Sequence, residues 1–232
     1  MRKNFLFIFI LISALTLTAC SLFSSSAGGD DYVMTIGNEK ISPAEFSIYL
    51  FEQKTMFEET GGSDIWDTDF SGVPAAEVAK ENAYNSVIYV KTACENADEV
   101  NVSLTDEDKT EASALAAETF GEMNREYCES VGLDIETTEA VMEEIVLHQK
   151  VRDSVTNTYQ LSEVDYSAYI DNYIAENPDD DTPRATLESS LREDYIRLKK
   201  DEIYKEQINK WSENIKAEKN ADVWDSIVIT DL

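Results

Sequence analysis

A single histidine, three cysteines, four prolines and eight glycines in 232 residues leave this chain poor in the residues that build metal centres, nucleophilic triads and phosphate loops. His148 falls on an apolar helical stripe, which favours an imidazole at the edge of a core over a catalytic one. With no second histidine, and with Cys94 and Cys128 on separate predicted helices, neither a standard zinc site nor a Ser-His-Asp arrangement assembles. A P-loop and a Gly-rich dinucleotide turn are both missing, and Gly28-Gly29 and Gly61-Gly62 read as tether and loop. No cofactor and no metal is implied. Positive charge is scarce too: 19 Lys and Arg stand against 47 Asp and Glu, for a net −28. Such a surface repels phosphate backbones and anionic lipid heads, which argues against nucleic-acid binding and polybasic membrane docking. It suits solubility in cation-rich surroundings first, and recruitment of basic partners second. Asp179-Asp180-Asp181 lacks the alternating ligands and turn glycine of a calcium loop, so a solvated linker is the better reading.

No hydrophobic run reaches the roughly 20 residues of a membrane span. Residues 5–15, apolar apart from Ser13 and preceded by Arg2 and Lys3, read instead as an export signal occupying residues 1–19. The tetrapeptide Leu17-Thr18-Ala19-Cys20 resembles a bacterial lipobox. That resemblance implies a diacylglyceryl thioether, and so lipidation, at Cys20, which becomes the mature N-terminus. Two acyl chains give stable anchoring where one is marginal. The alternative is an ordinary signal peptide that merely contains a cysteine, with the protein released. Removing Arg2 and Lys3 takes the charge from −28 to −30. Residues 20–31, small and polar, follow as a flexible tether. About 200 residues remain, enough for one domain or for two small lobes sharing a core.

Residues 32–36 alternate as a short strand, Gly37-Asn38 makes a turn, and Lys40-Ile41 returns. Ser42 caps a helix with Pro43 at its first position, and Glu45 completes a capping box. Phe46, Tyr49, Leu50 and Phe57 place an aromatic stripe on that helix, and a loop over 61–74 carries Trp66 and Phe70 among acids. Ala83, Val87, Val90, Cys94 and Ala97 mark the buried face of a helix over 75–97. Thr105 and Asp108 cap the next, with a stripe through Ala112, Ala116, Phe120, Met123 and Tyr127. A third follows Thr137, with Val141, Ile145, His148 and Val155 on one face. Ser162 and Asp165 open a shorter one bearing Tyr166, Tyr169, Tyr173 and Ile174. If the helices around Cys94 and Cys128 form a hairpin turning near Asn101, the two sulfurs lie at different heights and cannot meet the ~6 Å Cα spacing of a disulfide. Two free thiols are expected, Cys94 buried as a small hydrophobe.

Residues 177–183 form the clearest break, an acidic linker with Pro178 and Pro183. Residues 184–219 hold no Gly or Pro, which predicts one helix of about 35 residues, ~50 Å long. Leu187, Leu191, Tyr195 and Leu198 share one sector of it, and Tyr204, Ile208, Trp211 and Ile215 share another turned more than a right angle away. Two stripes on one helix predict that it bridges two bodies. Ile227-Val228-Ile229 reads as a last strand, paired with residues 32–36 because a lone strand leaves its backbone unsatisfied. The expected fold is mainly α: antiparallel helical hairpins, a long C-terminal bridging helix, and a small β-sheet joining the two ends. Residues 32–176 form the main module, and 184–232 complete its N-terminal lobe.

In their order, these motifs resemble the helical chaperone modules of the PrsA and SurA type, related in design to the chaperone arms of trigger factor. The segment Thr35-Ile36-Gly37-Asn38-Glu39-Lys40-Ile41-Ser42-Pro43-Ala44-Glu45-Phe46 carries most of the likeness. Leu104-Thr105-Asp106-Glu107-Asp108 and Leu161-Ser162-Glu163-Val164-Asp165, the latter with Tyr169 and Tyr173, carry the rest. Many relatives insert a parvulin prolyl-isomerase domain where this chain has only residues 177–183, and its paired-histidine pocket has no counterpart beside His148 alone. The resemblance therefore implies a form without the isomerase and without a catalytic step. Its partners are unfolded or exported polypeptides, at the extracytoplasmic face of a cell membrane reached through the lipid on Cys20. A Gram-positive cell fits best. Binding by shape then falls to Phe51, Met56, Trp66, Phe70, Tyr166 and Tyr173, while Phe57 and Tyr169 are better read as core. The alternative function is a structural or adhesive surface lipoprotein with one fixed envelope partner.

Overall fold

A computed structural model of the chain describes residues 31–232. The expected signal segment 1–19, the expected lipidation at Cys20 and the expected tether up to residue 30 lie outside the described residues. The chain opens with strands β1 (Met34–Ile36) and β2 (Glu39–Ile41), joined by a turn in which Gly37 holds φ 57°. Helix α1 (Pro43–Gly61) follows, with the Ser42 hydroxyl accepting from the Glu45 amide at 3.1 Å. The expected second half of a capping box does not form there, because the Glu45 carboxylate pairs instead with Lys91, 2.8 Å away.

The loop expected over 61–74 is a 3-10 turn, Ser63–Asp67, then a minimal hairpin of β3 (Asp69–Phe70) and β4 (Val73–Pro74). Helix α2 (Ala75–Glu95) leads to α3 (Asp106–Glu122), whose Thr105–Asp108 capping box forms as expected. The stripe drawn through Tyr127 is interrupted. Helix α3 stops at Met123 and α4 (Arg125–Val131) restarts behind Asn124, whose side chain accepts from the Glu126 and Tyr127 amides. Helix α5 (Ile135–Thr156) starts ahead of Thr137, since Asp134 is its cap and accepts from the Thr137 amide at 2.8 Å. Helix α6 (Glu163–Glu176) is capped by Ser162 as the sequence predicts.

Residues 184–219 are not one helix. They divide into α7 (Arg184–Ser190), α8 (Arg192–Trp211) and strand β5 (Ala217–Lys219). The bend at Leu191 directly follows Ser189-Ser190, a pair that favours kinking, and helical bonds continue on both sides of it. Ser212 and Asn214, better in turns than in helices, lie where the chain leaves α8 for β5. The two apolar faces nevertheless reach two bodies. Leu187, Leu191 and Tyr195 pack with Tyr166 and Ile170 in a small lobe, whereas Tyr204, Ile208 and Trp211 pack against Ala93, Ala97 and Val151. Leu198, assigned to the first face, is 44 % exposed. An ion pair between Arg152 and Asp201 ties α8 to α5.

The fold is mainly helical, with a three-stranded antiparallel sheet in the order β2-β1-β5 joining the N- and C-terminal regions. The C-terminal strand in it is Ala217–Lys219 and not Ile227-Val228-Ile229. With β2 on one edge of β1 and β5 on the other, no edge of β1 is left for a later segment. That segment instead buries Ile229 in the core and leaves Val228 outside, past the short helix α9 (Ala221–Trp224). The main core gathers the sheet, α1 to α5 and α9 around Phe46, Ile48, Leu50, Val87, Met142 and Ile145.

Cys94 and Cys128 are free thiols; Cys128 is buried and Cys94, expected to be so, is half-buried. Burial, aided by the Glu144 charge, pushes the Cys94 thiol up to about 12, and burial raises Cys128 as well. At pH 8, iodoacetamide is therefore expected to label Cys94 about a thousandfold more slowly in the folded chain than after unfolding. Mass spectrometry of timed aliquots measures it, and labelling at the unfolded rate would contradict the buried environment.

Candidate functional site

Two of the large apolar side chains left exposed, Phe70 and Val73, lie side by side near the end of α1. In the β3–β4 hairpin, Ser71 and Gly72 hold φ 57° and 86°, the paired positive angles of a type I′ turn. Asp69 Oδ1 accepts from the Gly72 amide at 3.0 Å and closes it. Such a turn sets Phe70 opposite Val73, and the two are 46 % and 45 % exposed. Behind them Phe57 stacks on Trp66, centroids 5.6 Å apart and planes 6° off parallel, and meets Phe70 edge-on at 5.9 Å. Trp66 donates its indole N–H to Glu58 at 2.9 Å. An aromatic platform results, half sunk in the main core and half open to solvent.

On the same helix, Phe51, Lys54, Thr55, Glu58 and Glu59 follow the i, i+3, i+4, i+7, i+8 spacing of one face. With Glu122 and Leu232 they line a surface groove of about 470 Å³. Lys54 donates to the Leu232 carbonyl across it. Glu58 belongs to both features, so groove and platform are adjoining.

The six residues singled out from the sequence do not share a surface. Trp66 and Phe70 both pack on Phe57 in the platform, and Phe51 lines the groove. Met56 is half-buried on α1. Tyr166 is buried and donates its hydroxyl to the Glu188 carbonyl at 2.6 Å, so it is core of the small lobe and no groove wall. Tyr166, Tyr169 and Tyr195 form a ring cluster there, with Tyr195 at 5.2 and 4.9 Å from the other two. Tyr173 sits at its edge and donates to Asp180 at 3.3 Å. Phe57, read as core, is half of the platform. Val73 and Glu58 were passed over, although Ser71-Gly72 between Phe70 and Val73 is a two-residue hairpin signal.

The other polar clusters are structural in geometry. Lys91 on α2 contacts Glu39 at 2.7 Å and Glu45 and Glu144 at 2.8 Å each. Burial pulls its pKa down, but Glu144, Glu39 and Glu45 together hold it above the ordinary lysine value. Burial holds His148 down to about 4, with Arg152 adding to the effect, so its imidazole is neutral at physiological pH and packs 5.5 Å from Tyr204. Among the described residues no group of three or more His, Cys, Asp or Glu is placed to hold a metal ion, and no helix is long and apolar enough to cross a membrane.

Over 175 residues the chain is similar to a foldase. The relative is the foldase protein PrsA of Caldanaerobacter subterraneus subsp. tengcongensis, 26 % identical over 74 % of this chain and 52 % of its own length. The chain thus spans about half the length of the curated relative it matches. No family model and no solved structure matches. The likeness to PrsA agrees with the resemblance carried by the strand–turn–strand–capped-helix opening, which the fold places in the sheet and at the start of α1.

Proposed function

We propose that this chain is a foldase-like chaperone that holds unfolded exported polypeptides at the outer face of a membrane, anchored by lipid on Cys20. The similarity over 175 residues to a protein named as a foldase carries this reading, and the exposed Phe70–Val73 platform supplies a surface able to take apolar segments without reading their sequence. No nucleotide and no catalytic step takes part, and nucleic acid is not a partner of so acidic a surface. Prolyl isomerisation is not part of the activity. In support, helix α6 passes to α7 through residues 177–183 alone, a stretch too short for a domain.

The test is suppression of light scattering from a reduced or heat-unfolded client by the full chain, alongside a Phe70→Ala variant. Phe70 is 46 % exposed, so the substitution is expected to leave far-UV circular dichroism unchanged and to weaken suppression several-fold, in line with the loss of a central aromatic contact. The compactness of the platform favours one second reading, a surface lipoprotein that binds a single fixed envelope partner. Absence of suppression with several unrelated clients would transfer the assignment to it.

A further inference from the structure

We propose that the α1 groove and the adjoining hairpin bind one polypeptide segment in which a Lys or Arg stands within a few residues of an aromatic side chain. The inference rests on the reading of the chain as a polypeptide-binding protein and names the client chemistry of that site.

Phe51 and Leu232 give the groove an apolar lining while Glu58, Glu59 and Glu122 supply carboxylates. Lys54 donates to the Leu232 main-chain oxygen, and its one ammonium stands against those three carboxylates, so the lining stays net negative. A long basic side chain suits that combination, with its aliphatic stem along the apolar lining and its charged head among carboxylates. One oxygen of Glu58 is held by Trp66 at 2.9 Å, so the wall between groove and platform is fixed. Beyond that wall Phe70 and Val73 are open to solvent and offer an edge and a face to a second, aromatic side chain. Charge complementarity sets the sign of the partner. Residues 55–79, which run from the groove through the hairpin into α2, hold six Asp and Glu and no Lys or Arg. An acidic segment is repelled there, and a neutral apolar one gains the platform alone.

Fluorescence anisotropy of short labelled peptides with the full chain tests this. A peptide mixing Lys and Phe is compared with its Glu-for-Lys and Ser-for-Lys counterparts. The Lys–Phe peptide is expected to bind at least about tenfold more tightly than the Glu form, with affinity falling as salt is raised. Phe70→Ala should weaken both the Lys–Phe and the Ser–Phe peptide. Glu59→Gln with Glu122→Gln should weaken the Lys–Phe peptide alone and flatten its salt dependence, at unchanged circular dichroism. Equal binding of the Lys and Glu peptides, or insensitivity to all three substitutions, overturns this assignment and leaves polypeptide binding standing. Binding of none of the peptides by the folded chain overturns both.

Discussion

Replacing Trp224 by alanine is expected to lower the stability of the chain by about 3–5 kcal/mol, the range for emptying a buried aromatic site. The ring is 6 % exposed on a helix of four residues, α9, which has no means of standing alone. Phe46 meets it at 5.7 Å and Tyr84 edge-on at 6.0 Å. Two ammonium groups lie against it, Lys219 at 4.1 Å and Lys80 at 5.1 Å from its centroid. Lys80 is itself buried, paired with Glu77 at 3.0 Å, so the ring supplies part of what replaces its lost hydration. Lys219 closes strand β5, paired with Met34 of β1. One side chain thus fastens the returning C-terminal region to both the sheet and α2. Urea denaturation should show the lowered midpoint, and hydrogen exchange should quicken at β5 and α9 before the helices. Trp224→Phe, which keeps an aromatic face for both lysines, should recover a large part of the loss. A midpoint shift worth less than about 1 kcal/mol would mean that the segment is held elsewhere.

That fastening was invisible in the sequence, and the reason separates what was legible from what was not. The N-caps at Ser42, Thr105 and Ser162 are local: a hydroxyl and an amide three residues on meet whatever the rest of the chain does, so each was readable. The two apolar faces of residues 184–211 were readable as well, because burial follows helical period. What failed depended on competition between distant segments. Glu45 has the spacing for a capping box, but Lys91, 46 positions away, takes its carboxylate. Ile227-Val228-Ile229 has the better strand composition, yet Ala217–Lys219, which comes earlier in the chain, holds the free edge of β1. For the candidate site, the aromatic content of residues 61–74 was legible, and Trp66 and Phe70 both pack on Phe57. Tyr166 was misplaced because a tyrosine at a helical period reads alike in a groove and in a small core; only the Glu188 carbonyl that takes its hydroxyl decides between them.

Exchanging Lys91 for methionine is expected to destabilise the chain by about 3 kcal/mol at neutral pH, the lower part of the range for stripping one partner from a buried ion cluster. The lower part applies because Glu39 is more than half exposed and its charge is screened by water. Glu45 and Glu144 are not so placed. Burial already raises both carboxyl groups above their ordinary value of 4.5, against the lowering that Lys91 imposes through hydrogen bond and charge. Without the ammonium, that opposition is gone and both rise further. A carboxyl group whose folded pKa exceeds its unfolded one favours the folded state fully below the unfolded value, and that advantage is lost as pH rises through the folded value. The variant should therefore fall furthest behind the parent at neutral and alkaline pH and draw closer to it as pH drops towards 4.5. Lys91 in the parent contributes nothing to that slope, since it stays charged throughout. Denaturant titrations of both proteins across this range measure the gap. A gap that stays constant with pH would show that the lost stability lies in the packing of the lysine stem between α1, α2 and α5 and not in its charge. Adding Glu45→Gln to the variant sharpens the distinction: it removes one buried charge that lacks a partner, and should restore stability at neutral pH while changing little near pH 4.5.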